Sequence, residues 1–178
     1  MIPADEVKAG RHRVGALART AHLVDCWLTN LEKVLVFLLL TSLTLAVLLQ
    51  VVSRHLLAEP NPWTEELARY LFVWMSMLGA SIATQMRAHF GLEMLLKNLP
   101  VHLRVVAAVL AWLVVAGTAA SFAFYGWAFV SMTSLSTGPA TDLPMSWIHA
   151  AIPVGMSAIV VHLVLGAIYR PLHDLEQK

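Results

Sequence analysis

The chain has 178 residues, 58% of them hydrophobic and 13% charged, with a mean hydropathy of +0.70; this is too little charge to cover the surface of a water-soluble domain. A net charge of +1 without a long Lys/Arg block excludes the basic footprint of nucleic-acid binding. The single cysteine, Cys26, excludes an intramolecular disulfide, a CxxC redox pair and a thiolate metal cluster.

The chain reads as one all-α membrane domain over residues 1–178, with no internal repeat, linker or second domain. Residues 1–33 form an amphipathic segment. Val14, Leu17, Ala21, Val24, Leu28, Leu31 and Leu35 alternate steps of three and four, which predicts a helix lying along the cytoplasmic surface with its Arg residues toward headgroups. The first span follows over 34–52, bracketed by Lys33 and Arg54 and about 28 Å long at the helical rise. It starts too late, runs too long and lacks the cleavage site of a signal sequence.

The second span, 67–86, is entered through Asn61-Pro62-Trp63-Thr64-Glu65-Glu66-Leu67-Ala68-Arg69-Tyr70. Asn61 is placed to cap the free amides, Pro62 suits the first helical position, and Glu65 and Glu66 face the positive end of the helix dipole. Arg69 lies four residues after Glu65 and three after Glu66, so either carboxylate is within its reach. Trp63, Leu67, Tyr70 and Trp74 share one face. After Arg87 and His89, the stretch from Phe90 to Leu99 predicts a second interfacial helix that stops at Pro100.

The third span covers 105–130, longer than a perpendicular crossing needs. The fourth covers 147–169, with Trp147 and Tyr169 at its ends and Pro153 expected to kink it. Gly79, Ala80, Ser81 and Ala83, then Ala116, Gly117, Ala119, Ala120 and Ser121, then Gly155, Ser157 and Ala158 supply small residues for close helix approach, to one another or to a separate protein. Ten of the twelve Lys and Arg residues fall in the N-terminal segment, the loop between spans two and three, and the tail; only Arg54 and Arg69 lie on the other side. The positive-inside rule therefore predicts cytoplasmic termini and an outward-facing Asn61–Tyr70 stretch.

No carboxylate falls in the middle of any of these spans, which argues against a free-standing four-helix exporter. A haem-bearing redox subunit is the other alternative, raised by eight histidines. His149 and His162 are thirteen residues apart on one helix, roughly 20 Å along its axis, and cannot ligate one iron together. No HExxH, GxSxG or phosphate-binding glycine loop is present, and nothing supports catalysis.

The pattern resembles the small membrane subunit of tripartite ATP-independent periplasmic (TRAP) transporters, the DctQ-like family. The resemblance is carried by the run from Trp63 to Trp74, the Arg87-Ala88-His89-Phe90-Gly91-Leu92-Glu93 exit, Leu143-Pro144-Met145-Ser146-Trp147 and Ile152-Pro153-Val154-Gly155. Where the family often has Arg-x-Gly-Glu-His, this chain reads Arg87-Ala88-His89 and lacks the acid. The resemblance implies a bacterial inner-membrane scaffold without its own cofactor or enzymatic activity. Such a subunit braces a large sodium-coupled membrane subunit that imports an organic anion, carboxylate or sulfonate, delivered by a periplasmic substrate-binding protein. It further implies partner contacts from Trp63, Glu65, Glu66, Arg69, Tyr70, Trp74, Arg87 and His89, and structural roles for Pro144, Trp147, Pro153 and Gly155. Read without the resemblance, Glu65, Glu66 and Arg69 make an exposed helix start with a surface ion pair.

Overall fold

In a membrane-spanning chain the backbone has to satisfy its own hydrogen bonds, and helices do this within one segment. The computed structural model obeys that demand with α1 (Ala4–Leu56), α2 (Pro62–Gln85), α3 (Val101–Met132) and α4 (Ser146–Glu176). It describes residues 4–56, 61–86 and 100–176, with side chains over 18–55, 61–86 and 102–169. Arg87, His89 and the expected interfacial helix from Phe90 to Leu99 lie outside the described residues. Each helix contains a stretch long and apolar enough to cross a membrane: Ala18–His55, Pro62–Gln85, His102–Met132 and Ser146–Tyr169. The four spans read from sequence are all there, and α4 runs without a break through Pro153.

The N-terminal segment is not a separate helix. It continues into α1 as one 53-residue helix, roughly 80 Å long at 1.5 Å per residue, against about 30 Å for the hydrocarbon layer. Its apolar stripe is only partly covered. Ala21 is buried and Leu28 half-buried, but Val24, Leu31 and Leu35 are exposed, whereas Asp25, Thr29 and Glu32, spaced four and three apart on the neighbouring face, are buried. The physical reason is that lipid is as apolar as leucine, so the side of a helix that gains by turning inward is the polar one.

Polar groups are prominent in the interior among the described side chains generally. The largest fully buried side chains include His162, Thr64, Asp25, Ser53 and Ser81, while Phe, Trp, Leu and Val residues cover the outside. Among the described residues, α4 packs against α1, α2 and α3, α1 also packs against α2, and α3 touches α4 alone. Close approach is concentrated at two glycines. A Cβ on Gly155 would sit 2.8 Å from Met77 Cβ and 3.1 Å from its carbonyl oxygen, which fixes the α2–α4 crossing. A Cβ on Gly126 would meet Pro153 at 3.0 Å, which fixes α3 against α4. Gly79 and Gly117, expected as contact residues, face open space.

Candidate functional site

The start of α2 and the loop between α3 and α4 form one structure. Asn61 precedes the helix, but its side chain makes no cap hydrogen bond. Its carbonyl instead accepts from the Thr64 amide at 3.2 Å and the Thr64 hydroxyl at 2.7 Å, and Pro62 has no amide to satisfy. The adjacent carboxylates then diverge. Glu65 pairs with Arg69 at 3.0 Å on the surface, the two side chains 62% and 69% exposed. Glu66 turns inward and is buried.

Glu66 is occupied by its own chain. Its Oε2 accepts the backbone amides of Ala140 at 2.9 Å and Thr141 at 3.0 Å, and its Oε1 accepts the Tyr70 hydroxyl. The loop is shaped to present those amides. Met145 donates to the Ser136 carbonyl at 2.7 Å and Gly138 to the Leu143 carbonyl at 2.8 Å, while Thr137 and Pro144 pair as an antiparallel bridge. Asp142 turns the chain with φ of 53°, a conformation Asp tolerates better than most residues. Gly138 is required here because any Cβ would overlap the Glu66 carboxylate and the Tyr70 hydroxyl.

The aromatic residues tie this end to α4. Trp74 Nε1 donates to the Trp147 carbonyl at 3.1 Å, and His149 lies 3.0 Å from the Thr133 hydroxyl with its ring edge-on to Phe129. Trp63 stays on the surface. The result is an open cleft of about 420 Å³ lined by Glu65, Arg69, Tyr70, Pro139, Met145 and His149 among others. Pro144 is in the bridged loop and Pro153 is fully buried beside Gly126. The cleft offers one exposed cation, one exposed carboxylate and apolar walls, which suits recognition of a protein surface and offers no nucleophile activated by a base.

A second polar centre lies toward the other end of α2, and sequence reading missed it. His162 Nδ1 is 2.6 Å from Asp25 Oδ1, and its Nε2 is 3.2 Å from Glu32 Oε2. Ser81 donates to Glu32 at 2.8 Å, and Gln85 and Tyr169 donate to Asp25 at 3.2 and 3.1 Å. The Thr29 hydroxyl donates to the Asp25 carbonyl at 2.8 Å. Carboxylates therefore do enter the bundle, contrary to the span boundaries expected from hydropathy, because α1 carries residues 25 and 32 alongside α4. Both nitrogens of His162 are directed at carboxylates, so this ring does not present a free nitrogen to a haem iron. The signal that would have exposed the cluster is the Asp25, Thr29, Glu32 register on one helix face, with a histidine inside an otherwise apolar fourth span.

Residues 43–173 match the family model described as the DctQ component of tripartite ATP-independent periplasmic transporters. The chain is 25% identical over 128 residues to the sialic acid TRAP transporter small permease protein SiaQ of Vibrio cholerae, covering 72% of this chain and 74% of that one. It is 30% identical over 105 residues to the sialic acid TRAP transporter permease protein SiaT of Haemophilus influenzae, covering 59% of this chain but 17% of that much longer protein. It is 26% identical over 108 residues to the C4-dicarboxylate TRAP transporter small permease protein DctQ of Vibrio cholerae, covering 57% of this chain and 45% of the relative.

Proposed function

We propose, from the premise that this chain belongs to the DctQ-component family of TRAP transporters, that it serves as the membrane scaffold of an importer for an organic anion. A member of this family is a multi-pass inner-membrane transporter subunit and not an enzyme. Its partner is a large membrane subunit that carries the sodium and substrate sites, and this subunit holds no cofactor of its own. Support comes from the SiaT relative, in which the matching region occupies 17% of a longer permease chain. A region found within one polypeptide in one protein and alone in another is expected to meet the remainder by assembly.

The surface best suited to that assembly is the exposed Glu65–Arg69 pair with Trp63, beside the cleft that Glu66 and Tyr70 close from behind. With both termini in the cytoplasm, this surface faces the periplasm, where it is also placed to help dock a substrate-binding protein. An anion is favoured as cargo because the relatives are named for sialic acid and C4-dicarboxylates. The test is affinity purification of the tagged chain from native membranes. Recovery of a larger multi-span polypeptide in fixed proportion supports the scaffold reading, and recovery of the chain alone, active or inactive, removes it.

A further inference from the structure

The polar centre around His162 is independent of the partner surface, and its stoichiometry is informative. A neutral imidazole has one N–H and one lone pair. Here each ring nitrogen faces a carboxylate oxygen, at 2.6 Å toward Asp25 and 3.2 Å toward Glu32. Ionised carboxylates only accept. Both contacts are therefore hydrogen bonds only when the trio holds one proton more than a neutral ring between two carboxylates. Ser81 donates to the other oxygen of Glu32, and Gln85 and Tyr169 donate to the other oxygen of Asp25, so the ring faces one oxygen of each carboxylate.

We propose that Asp25, His162 and Glu32 form a one-proton site whose occupancy pins the Glu32 turn of α1 to α4, and whose deprotonation to water releases that turn from α4 while Asp25 stays tied to His162 and Tyr169. With the proton bound, the ring bridges two turns of α1 from α4. Once it leaves, the shorter contact to Asp25 keeps the remaining N–H, and the Nε2 lone pair is set against the Glu32 carboxylate in a poorly solvated interior. Glu32 then keeps its Ser81 donor on α2 but loses α4. The ionisable groups around the ring are Asp25 and Glu32 from α1 and Tyr169 on α4, with His22 of α1 edge-on behind Tyr169. α2 contributes the neutral Ser81 and Gln85, and among the described residues α3 packs against neither α1 nor α2. The lock is closed at low pH and opens as pH rises through the titration of the site.

The test uses the full chain in lipid nanodiscs, in a Cys26→Ser background, with spin labels at the exposed positions Leu31 on α1 and Val105 on α3. Nitrogen-15 shifts of His162 report whether one or both ring nitrogens are protonated. The expected result is a narrow inter-label distance while both nitrogens are protonated, and a broadened, longer one once the second proton is lost. Glu32→Gln places an amide N–H against the Nε2 lone pair of a neutral ring, so the distance stays narrow at every pH. His162→Phe leaves it broad at every pH; should that variant fail to fold, Glu32→Gln still decides. An imidazolium signal that is absent, that titrates without a change in distance, or that persists with the distance fixed overturns the proposal, as does a Glu32→Gln variant that opens with pH like the parent.

Discussion

His162 Nδ1 and Asp25 Oδ1 lie 2.6 Å apart although 137 positions separate the two residues in the chain, and both are buried. A buried pair of this kind is costly to break from one side, because the survivor is stranded, yet replacing all members with apolar groups is often neutral. Asp25→Ala is expected to lower stability by roughly 3–5 kcal/mol. The combined variant Asp25→Leu, Glu32→Leu, His162→Phe is expected to cost less than Asp25→Ala alone. Chemical unfolding midpoints in a constant detergent compare the two, and an Asp25→Ala variant as stable as the parent would contradict the geometry.

Glu66 holds the loop from Thr137 to Pro144 through two backbone amides. Glu66→Ala is expected to speed hydrogen exchange at Ala140 and Thr141 by on the order of tenfold or more, since both amides lose their acceptor. Gly138→Ala should have a similar effect by displacing the carboxylate. Glu66→Gln keeps an amide oxygen for the loop, and the Tyr70 hydroxyl can rotate to accept from its NH₂, so exchange should stay near the parental rate. The discriminating observation is the difference between the Ala and Gln variants.

Two glycines on facing helices predict opposite outcomes. Gly155→Ala drives a Cβ into Met77 at a backbone crossing and is expected to destabilise by about 1–3 kcal/mol. Gly79→Ala meets nothing within 4 Å and should be neutral or stabilise by about 0.5–1 kcal/mol through helix propensity. Thermal unfolding of the two single variants under identical conditions tests the sign of each.

The Glu65–Arg69 pair is solvent-exposed in this chain, and a pair of that kind contributes up to about 1 kcal/mol. Arg69→Ala and Arg69→Glu should therefore leave the unfolding midpoint of the isolated subunit nearly unchanged while reducing recovery of the large subunit. Loss of recovery with an unaltered midpoint assigns the residue to assembly. Unchanged recovery in both variants would remove Arg69 from the interface.

Hydropathy made the four spans legible because each stretch must match the bilayer in length and composition. The Trp63–Trp74 run also pointed correctly to an organised helix start. Beyond that, the reading failed where partners are remote. Glu66 is held by the backbone of Ala140 and Thr141, 74 and 75 positions away, and backbone amides leave no residue-type signature. Residues 14–35 were legible as a helix leading into the first span, but a stripe read for its apolar side did not reveal that the face with Asp25, Thr29 and Glu32 turns inward. Within the motif, two neighbouring glutamates looked equivalent, and only the fold separates the exposed Glu65 from the buried Glu66.

The contact of α1 with α4 joins the first helix to be made with the last. Asp25 and Glu32 leave the ribosome early, with Ser81, Gln85 and later His162 as partners. Until the last helix inserts, two carboxylates lack the ring that bridges them, and among the described residues α3 packs on α4 alone. A subunit that ends before residue 162 would leave Asp25 and Glu32 without the ring that joins both to the fourth helix, so two buried carboxylates depend on a residue near the far end of the chain.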